Sequence, residues 1–213
     1  MQEATKAGNV NAAKAMSTNR TRQLLSYFLL ACGAVLIFLG ARVLFVSHFG
    51  QSAAARDFDK PADPAPPAIS RRPRIGDTVL KLIIPRLDAH LYVMEGDGER
   101  ELRRGPGHLP GTAMPGARGN CVIAGHRDTH FRVLKDIHKG DDIVLQTANG
   151  QYLYRVKNTQ VVSAQNTRAL QPTAGPILNL ITCYPFLYVG SAPKRFVVEA
   201  RLAGEVTQLA GVK

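Results

Sequence analysis

The sequence predicts a mostly-β domain, a closed barrel or a sandwich, preceded by one membrane-crossing helix. Three observations predict it. Residues 24–41 are eighteen consecutive residues without a charge, which at ~1.5 Å per residue makes about 27 Å of helix, close to the hydrocarbon thickness of a bilayer. From Gly76 onward the apolar residues fall into seven or eight short runs bounded by glycine, proline and asparagine, the pattern of short strands. Between two of those runs stands Ala148-Asn149-Gly150-Gln151, and Asn-Gly in that setting is a strong hairpin signal.

Taken in order, residues 1–23 form a polar tail with little periodicity, and the apolar run extends to about Val46 if Arg42 lies at the interface. Lys6, Lys14, Arg20 and Arg22 precede the span against a single Glu3. The excess of positive charge places the tail in the cytoplasm and everything after residue 46 outside. A cleavable signal is the competing reading, since Ser52-Ala53-Ala54-Ala55 offers small residues after the span. The apolar run exceeds the usual ~7–15 residues of a signal core, which favours an uncleaved anchor. Residues 47–75 read as a linker whose centre, Pro61-Ala62-Asp63-Pro64-Ala65-Pro66-Pro67-Ala68, favours extended polyproline II.

Residues 76–213 then form the main folded domain. Strands are predicted at 78–87, broken near Pro85, and at 89–94, 120–125, 142–147, 152–162, 177–183 and 195–202. One helical turn is expected at 99–104 and a short helix at 128–134 with Asp128 as its cap.

Charge is less informative than its total suggests. The chain carries +11, but from Gly76 to Lys213 there are 17 Lys or Arg and 12 Asp or Glu, a balance of +5. No basic stripe with interleaved aromatics appears, so nucleic acid is not an expected partner. Four histidines, His108, His126, His130 and His138, lack the paired cysteines or Glu-centred spacing of a zinc site, and no metal is expected. Of three cysteines, Cys32 falls in the span. Cys121 lies five residues before His126 on an extended run, ~17 Å away at ~3.3 Å per residue, and reads as a buried small hydrophobe.

Cys183 is different. It closes an apolar run, Arg195 opens the next, and His126 closes an earlier one. A thiolate to attack, an imidazolium to protonate a leaving amine and a fixed cation to steady an oxyanion are the parts of a cysteine acyl-transfer site. Alternation along the strand puts Asn179, Ile181 and Cys183 on one face. Asn179, Ile181, Thr182 and Tyr184 are the candidates for contacting substrate, with residues 184–194 as a wall of the groove. Taken singly, Cys183 also reads as a structural cysteine, His126 as a hydrogen-bonding residue, and Arg195 as the partner of Glu199.

Three linked motifs make the site more specific. Ala124-Gly125-His126-Arg127-Asp128-Thr129-His130-Phe131, Thr182-Cys183-Tyr184-Pro185-Phe186 and Gly190-Ser191-Ala192-Pro193-Lys194-Arg195 resemble the sortases, most closely class D. The likeness runs from about Thr78 to Leu202 and includes Gly105-Pro106-Gly107-His108 and Gly119-Asn120. It implies a closed eight-stranded barrel with short helices behind an N-terminal transmembrane anchor. It further implies that Cys183 attacks a Leu-Pro-x-Thr-like signal at the C-terminus of a secreted protein, with His126 as acid then base and Arg195 on the substrate backbone and oxyanion. An amine of the cell envelope or of a partner protein would resolve the thioacyl intermediate.

The family's signature usually has Thr where this chain has Asn179, a difference expected to tune the groove. Some sortases bind calcium; Glu95, Asp97, Glu99 and Glu101 are the acidic candidates here, and a solvated turn is the preferred reading, so no cofactor is expected. The alternatives are a thiol hydrolase that releases its acyl group to water and a non-catalytic anchored barrel that binds peptides. A peptidoglycan L,D-transpeptidase is disfavoured by the absence of a Ser-His-Gly-Cys signature.

Overall fold

The computed structural model describes residues 3–58, 73–188 and 190–206. It divides into two compact units, Met1–Phe45 and Val46–Lys213. A single helix, α1 (Glu3–Phe58), supplies all of the described first unit and the start of the second. In the first unit the window Leu25–Arg42 has mean hydropathy 1.9 and none of it is buried, which by length and composition is enough to cross a membrane. The tail before it is helical from Glu3, where its polarity predicts little order; alanines at 4, 7, 12, 13 and 15 supply the helix propensity.

The linker expected from residue 47 is corrected over residues 47–58, which are helical. Residues 46–58 remain helical and dock on the barrel, because Gln51 completes an exposed stretch of strand backbone. Its amide oxygen accepts from Tyr92 N at 2.7 Å, and its Nε2 donates to Tyr92 O at 3.0 Å and to Arg104 O at 2.9 Å. Ala54 is fully buried, and the Phe58 ring meets Tyr92 edge-on at 5.8 Å. Gly50 permits the approach, since a Cβ there would lie 2.8 Å from Arg104 Cα. The Pro-rich centre of the expected linker lies outside the described residues.

Eight strands close the barrel: β1 (Thr78–Ile84), β2 (Ala89–Glu95), β3 (Gly107–His108), β4 (Asn120–Gly125), β5 (Asp142–Thr147), β6 (Gly150–Ser163), β7 (Ile177–Tyr184) and β8 (Lys194–Val206). Around the wall their order is β1-β2-β3-β4-β7-β8-β6-β5. Closure gives every strand a neighbour on each side, and Gln51 bonds the β2 backbone at Tyr92, which the two-residue β3 does not reach. Pro85 ends β1 in a 3₁₀ turn, Pro85–Leu87. The expected turn of helix is α2, Glu99–Arg104. The Asn-Gly hairpin joins β5 to β6, pairing Thr147 with Gly150.

Alternate residues fill the interior. Leu80, Leu82 and Ile84 of β1, Leu178 and Leu180 of β7 and Val198 of β8 are all fully buried, each worth ~1.5–3 kcal/mol relative to exposure. One expectation is corrected near the site. The segment after β4 is a 3₁₀ helix at His130–Asp136 rather than a helix capped by Asp128, and its cap position, Thr129, makes no side-chain capping bond. The turn is closed by backbone instead, Phe131 N donating to His126 O at 3.0 Å.

Candidate active site

Strand pairing brings the three sequence-predicted residues to one rim. β7 and β8 run antiparallel with Cys183 directly opposite Arg195, a position that places Cβ atoms ~4.5–5.5 Å apart. β4 and β7 run parallel with Gly125 opposite Thr182, so His126, the next residue, emerges beside Cys183. Thiol, imidazole and guanidinium therefore stand at adjoining ends of three neighbouring strands, β4, β7 and β8.

Each is held by local chemistry. Gly125 is required ahead of His126, because a Cβ there would sit 2.7 Å from the Phe131 ring. Phe131 is fully buried, and its backbone bond to His126 fixes where the imidazole starts. Among the described residues the His126 ring makes no hydrogen bond, so it is not committed to a carboxylate. Arg195 is not spent on Glu199. Its Nη1 donates to Ala192 O at 3.2 Å and Lys194 O at 3.0 Å, which folds the guanidinium against the β7–β8 loop. Glu199 instead lies 3.9 Å from Arg201 Nε. Cys183 itself is half-buried, reachable by solvent yet flanked by protein, while Cys121 is 1% exposed. All three cysteines are free thiols.

The four candidates for substrate contact separate into different roles. Ile181 is half-buried opposite Val197, on the face of β7 that carries Cys183. Tyr184 stacks against Phe196 at 6.4 Å and meets Phe186 edge-on at 6.0 Å, an aromatic cluster at the start of the loop. Thr182 is 2% exposed, and its hydroxyl donates to Gly125 O at 2.7 Å. It braces the cysteine strand on the histidine strand and does not face a groove, because residues of even number on β7 point inward. Asn179 is also buried. Its Nδ2 donates to Asn120 Oδ1 at 2.8 Å, and Asn120 Nδ2 in turn donates to Ala169 O at 2.8 Å and Gln171 O at 2.9 Å. Two amides in series thus carry the β6–β7 connection.

Sequence reasoning missed Arg127. Its Nη2 donates to Tyr188 O and Gly190 O, both at 2.9 Å, and its guanidinium lies over the Tyr188 ring at 5.5 Å. The residue after the imidazole therefore pins the loop that follows the thiol. A cation next to His126 was the only signal available, and it has no periodicity to mark it. Glu95, one of the acids weighed for calcium, is bonded to buried His108 Nδ1 at 2.8 Å. Among the described residues no group of three His, Cys, Asp or Glu is placed to hold a metal.

Known proteins resemble this chain in sequence and fold. The sortase domain family matches residues 82–203. Sortase D of Bacillus subtilis strain 168 is 36% identical over 138 residues, covering 64% of this chain and 69% of the relative. Among solved structures, a Clostridium perfringens sortase D5 transpeptidase shares the fold with a TM-score of 0.62 at 24% identity, over 75% of this chain and 99% of that one. The catalytic domain of B. anthracis SrtD superposes with a TM-score of 0.56 at 33% identity, over 65% of this chain and 95% of that one. A closed eight-stranded barrel, a thiol at the end of its seventh strand and these likenesses agree: the chain belongs to the sortase family of cysteine transpeptidases.

Proposed function

We propose that the chain is a membrane-anchored enzyme that cuts a Leu-Pro-x-Thr-like signal near the C-terminus of secreted proteins and joins the acyl part to an amine. The observation carrying this is the pair of registers that sets Cys183 against Arg195 and Thr182 against Gly125, one residue short of His126.

In the first half-reaction the Cys183 thiolate adds to the threonine carbonyl carbon. The oxyanion so formed takes hydrogen bonds from the Arg195 guanidinium, whose remaining N–H groups are not used by the loop. The C–N bond breaks as the His126 imidazolium gives its proton to the leaving amine, leaving a thioester on Cys183 and a neutral imidazole. In the second half-reaction an incoming amine attacks the thioester and His126 takes its proton. The C–S bond then breaks and the thiolate returns. No cofactor enters either step. Orientation follows from the charges before the span: tail in the cytoplasm, barrel outside, acting on exported proteins and on an amine of the envelope or of a partner protein.

The test is turnover of a Leu-Pro-x-Thr-containing peptide with and without a primary amine. The expected product with amine is the ligated amide, together with a thioester adduct on Cys183 visible by mass spectrometry. Free acid alone at saturating amine would reassign the chain to hydrolysis, and full activity in a Cys183→Ala protein would remove the mechanism.

A further inference from the structure

Down β7 from Cys183 the outer face changes character. The first rung below the thiol is apolar, Ile181 opposite Val197; the next is polar, Asn179 opposite Glu199, with Asn158 of β6 beyond. Over this second rung stands the β6–β7 connection, residues 164–176, walling one side of a half-open cavity of about 530 Å³ lined by Asn158, Gln160, Asn179, Glu199 and the exposed Arg168 and Arg201 among others. Its wall is fixed by the Asn179–Asn120 relay into Ala169 O and Gln171 O, and by Arg118 donating to Ala174 O at 3.4 Å.

Charge in this region is one-sided. From residue 143 to residue 198 the chain carries no Asp or Glu and five Lys or Arg. In the cavity lining Glu199 is the one carboxylate, against two guanidiniums, Arg168 and Arg201. It lies 3.9 Å from Arg201, which leaves Arg168 without an ion pair among the described residues.

Spacing decides what reaches this cavity. Asn179 is four residues from Cys183, ~13 Å at ~3.3 Å per residue. An extended peptide whose scissile carbonyl sits at Cys183 spans the same distance in four residues. Its acyl half stays bound through both half-reactions, whereas the leaving half must clear the rim for the incoming amine. The end of the groove walled by the β6–β7 connection therefore suits the acyl half.

We infer that this cavity is a subsite for an acidic side chain, Asp or Glu, at the position immediately before the four-residue core of the sorting signal. The inference rests on the transpeptidase reading for the placement of the peptide. Arginine forks match carboxylates in geometry as well as charge, and a wall already held by buried amides loses little freedom when the ligand arrives.

The experiment uses four peptides that differ only in the residue before Leu-Pro-x-Thr: Asp, Asn, Ala or Lys. Binding is measured on the full chain carrying Cys183→Ala, and kcat/KM on the unaltered chain. The Asp peptide is expected to bind about tenfold tighter than the Lys peptide, the scale of one partly exposed charge pair on each side of the comparison. Raising salt from about 0.05 M to about 0.5 M should shrink that gap. Arg168→Glu should invert the order so that Lys binds tighter than Asp, and Arg201→Glu provides a second variant with the same expected inversion. Equal affinities, a preference for Lys in the unaltered groove, or no binding by any of the four overturns the subsite. The two readings fail separately. Charge-ordered binding with no cleavage removes the transpeptidase reading and leaves the subsite, while efficient cleavage indifferent to charge does the reverse.

Discussion

Cys121 and Cys183 lie on adjacent strands of one barrel. Cys121 is the second residue of β4, paired with Leu178 and 1% exposed in the core. Burial pushes its thiol up to about 12, with the charge of Glu95 adding to the effect. Cys183 stands one residue from the end of β7, half-buried, opposite a guanidinium and beside a strand that ends in an imidazole. The same side chain is thus a packing group in one place and a candidate nucleophile in the other. What separates them is distance along a strand: a barrel's interior withdraws charge from solvent, and its rim is where loops can deliver charged groups to a half-open atom.

The largest effect available tests that contrast directly. Cys183→Ala should take turnover below detection, while Cys121→Ala should keep catalysis and cost about 1–2 kcal/mol of stability through lost packing. Iodoacetamide should label Cys183 in the folded protein and reach Cys121 only after denaturation. Labelling of both at equal rates would erase the distinction.

Next in size is Arg195. Its alanine variant should lose about 10²–10³ in kcat, the scale of one oxyanion donor. Lysine should recover only part, since it keeps the charge and loses the fork. A lysine variant with unchanged kcat would mean that charge alone suffices.

Smaller still is Asn179→Ala. It frees the Asn120 amide from its buried partner and loosens the β6–β7 wall, so KM for the peptide should rise several-fold with kcat nearly unchanged. An equal fall in kcat would show that the relay reaches the thiol.

The smallest effect lies away from the rim. The carboxyl of Asp141 is held below its ordinary value, first by the hydrogen bond from Arg86 and then by the backbone N–H of His138. A depressed folded-state value contributes stability that is present above the ordinary ~3.9 and is lost as pH falls through the depressed range. Asp141→Asn should therefore flatten the decline of Tm below about pH 4 and leave turnover at neutral pH unchanged. An acid decline identical to that of the unaltered chain would place the sensitive group elsewhere.

Local signals were the legible ones. Pro85 stopping β1, Asn149-Gly150 turning β5 into β6, and thiol, imidazole and guanidinium at strand ends all depend on neighbours within a few residues. Relations across the chain were not legible. Thr182 carries no mark in sequence that its hydroxyl will brace Gly125, fifty-seven residues away, nor does Gln51 announce Tyr92, forty-one residues on. Asp128 looked like a cap because Asp commonly caps helices. A tight backbone bond from Phe131 to His126 took that role, as Gly125 lets the aromatic ring in close.

The parallel pairing of β4 with β7 has a temporal consequence. Parallel neighbours cannot be joined by a tight turn, so the β5–β6 hairpin lies in the crossover that brings imidazole and sulfur together. A chain whose β7 has not yet paired with β4 holds its imidazole and its sulfur on separate segments. Acquisition of enzymatic competence is in this sense the molecule's own certificate that maturation has finished.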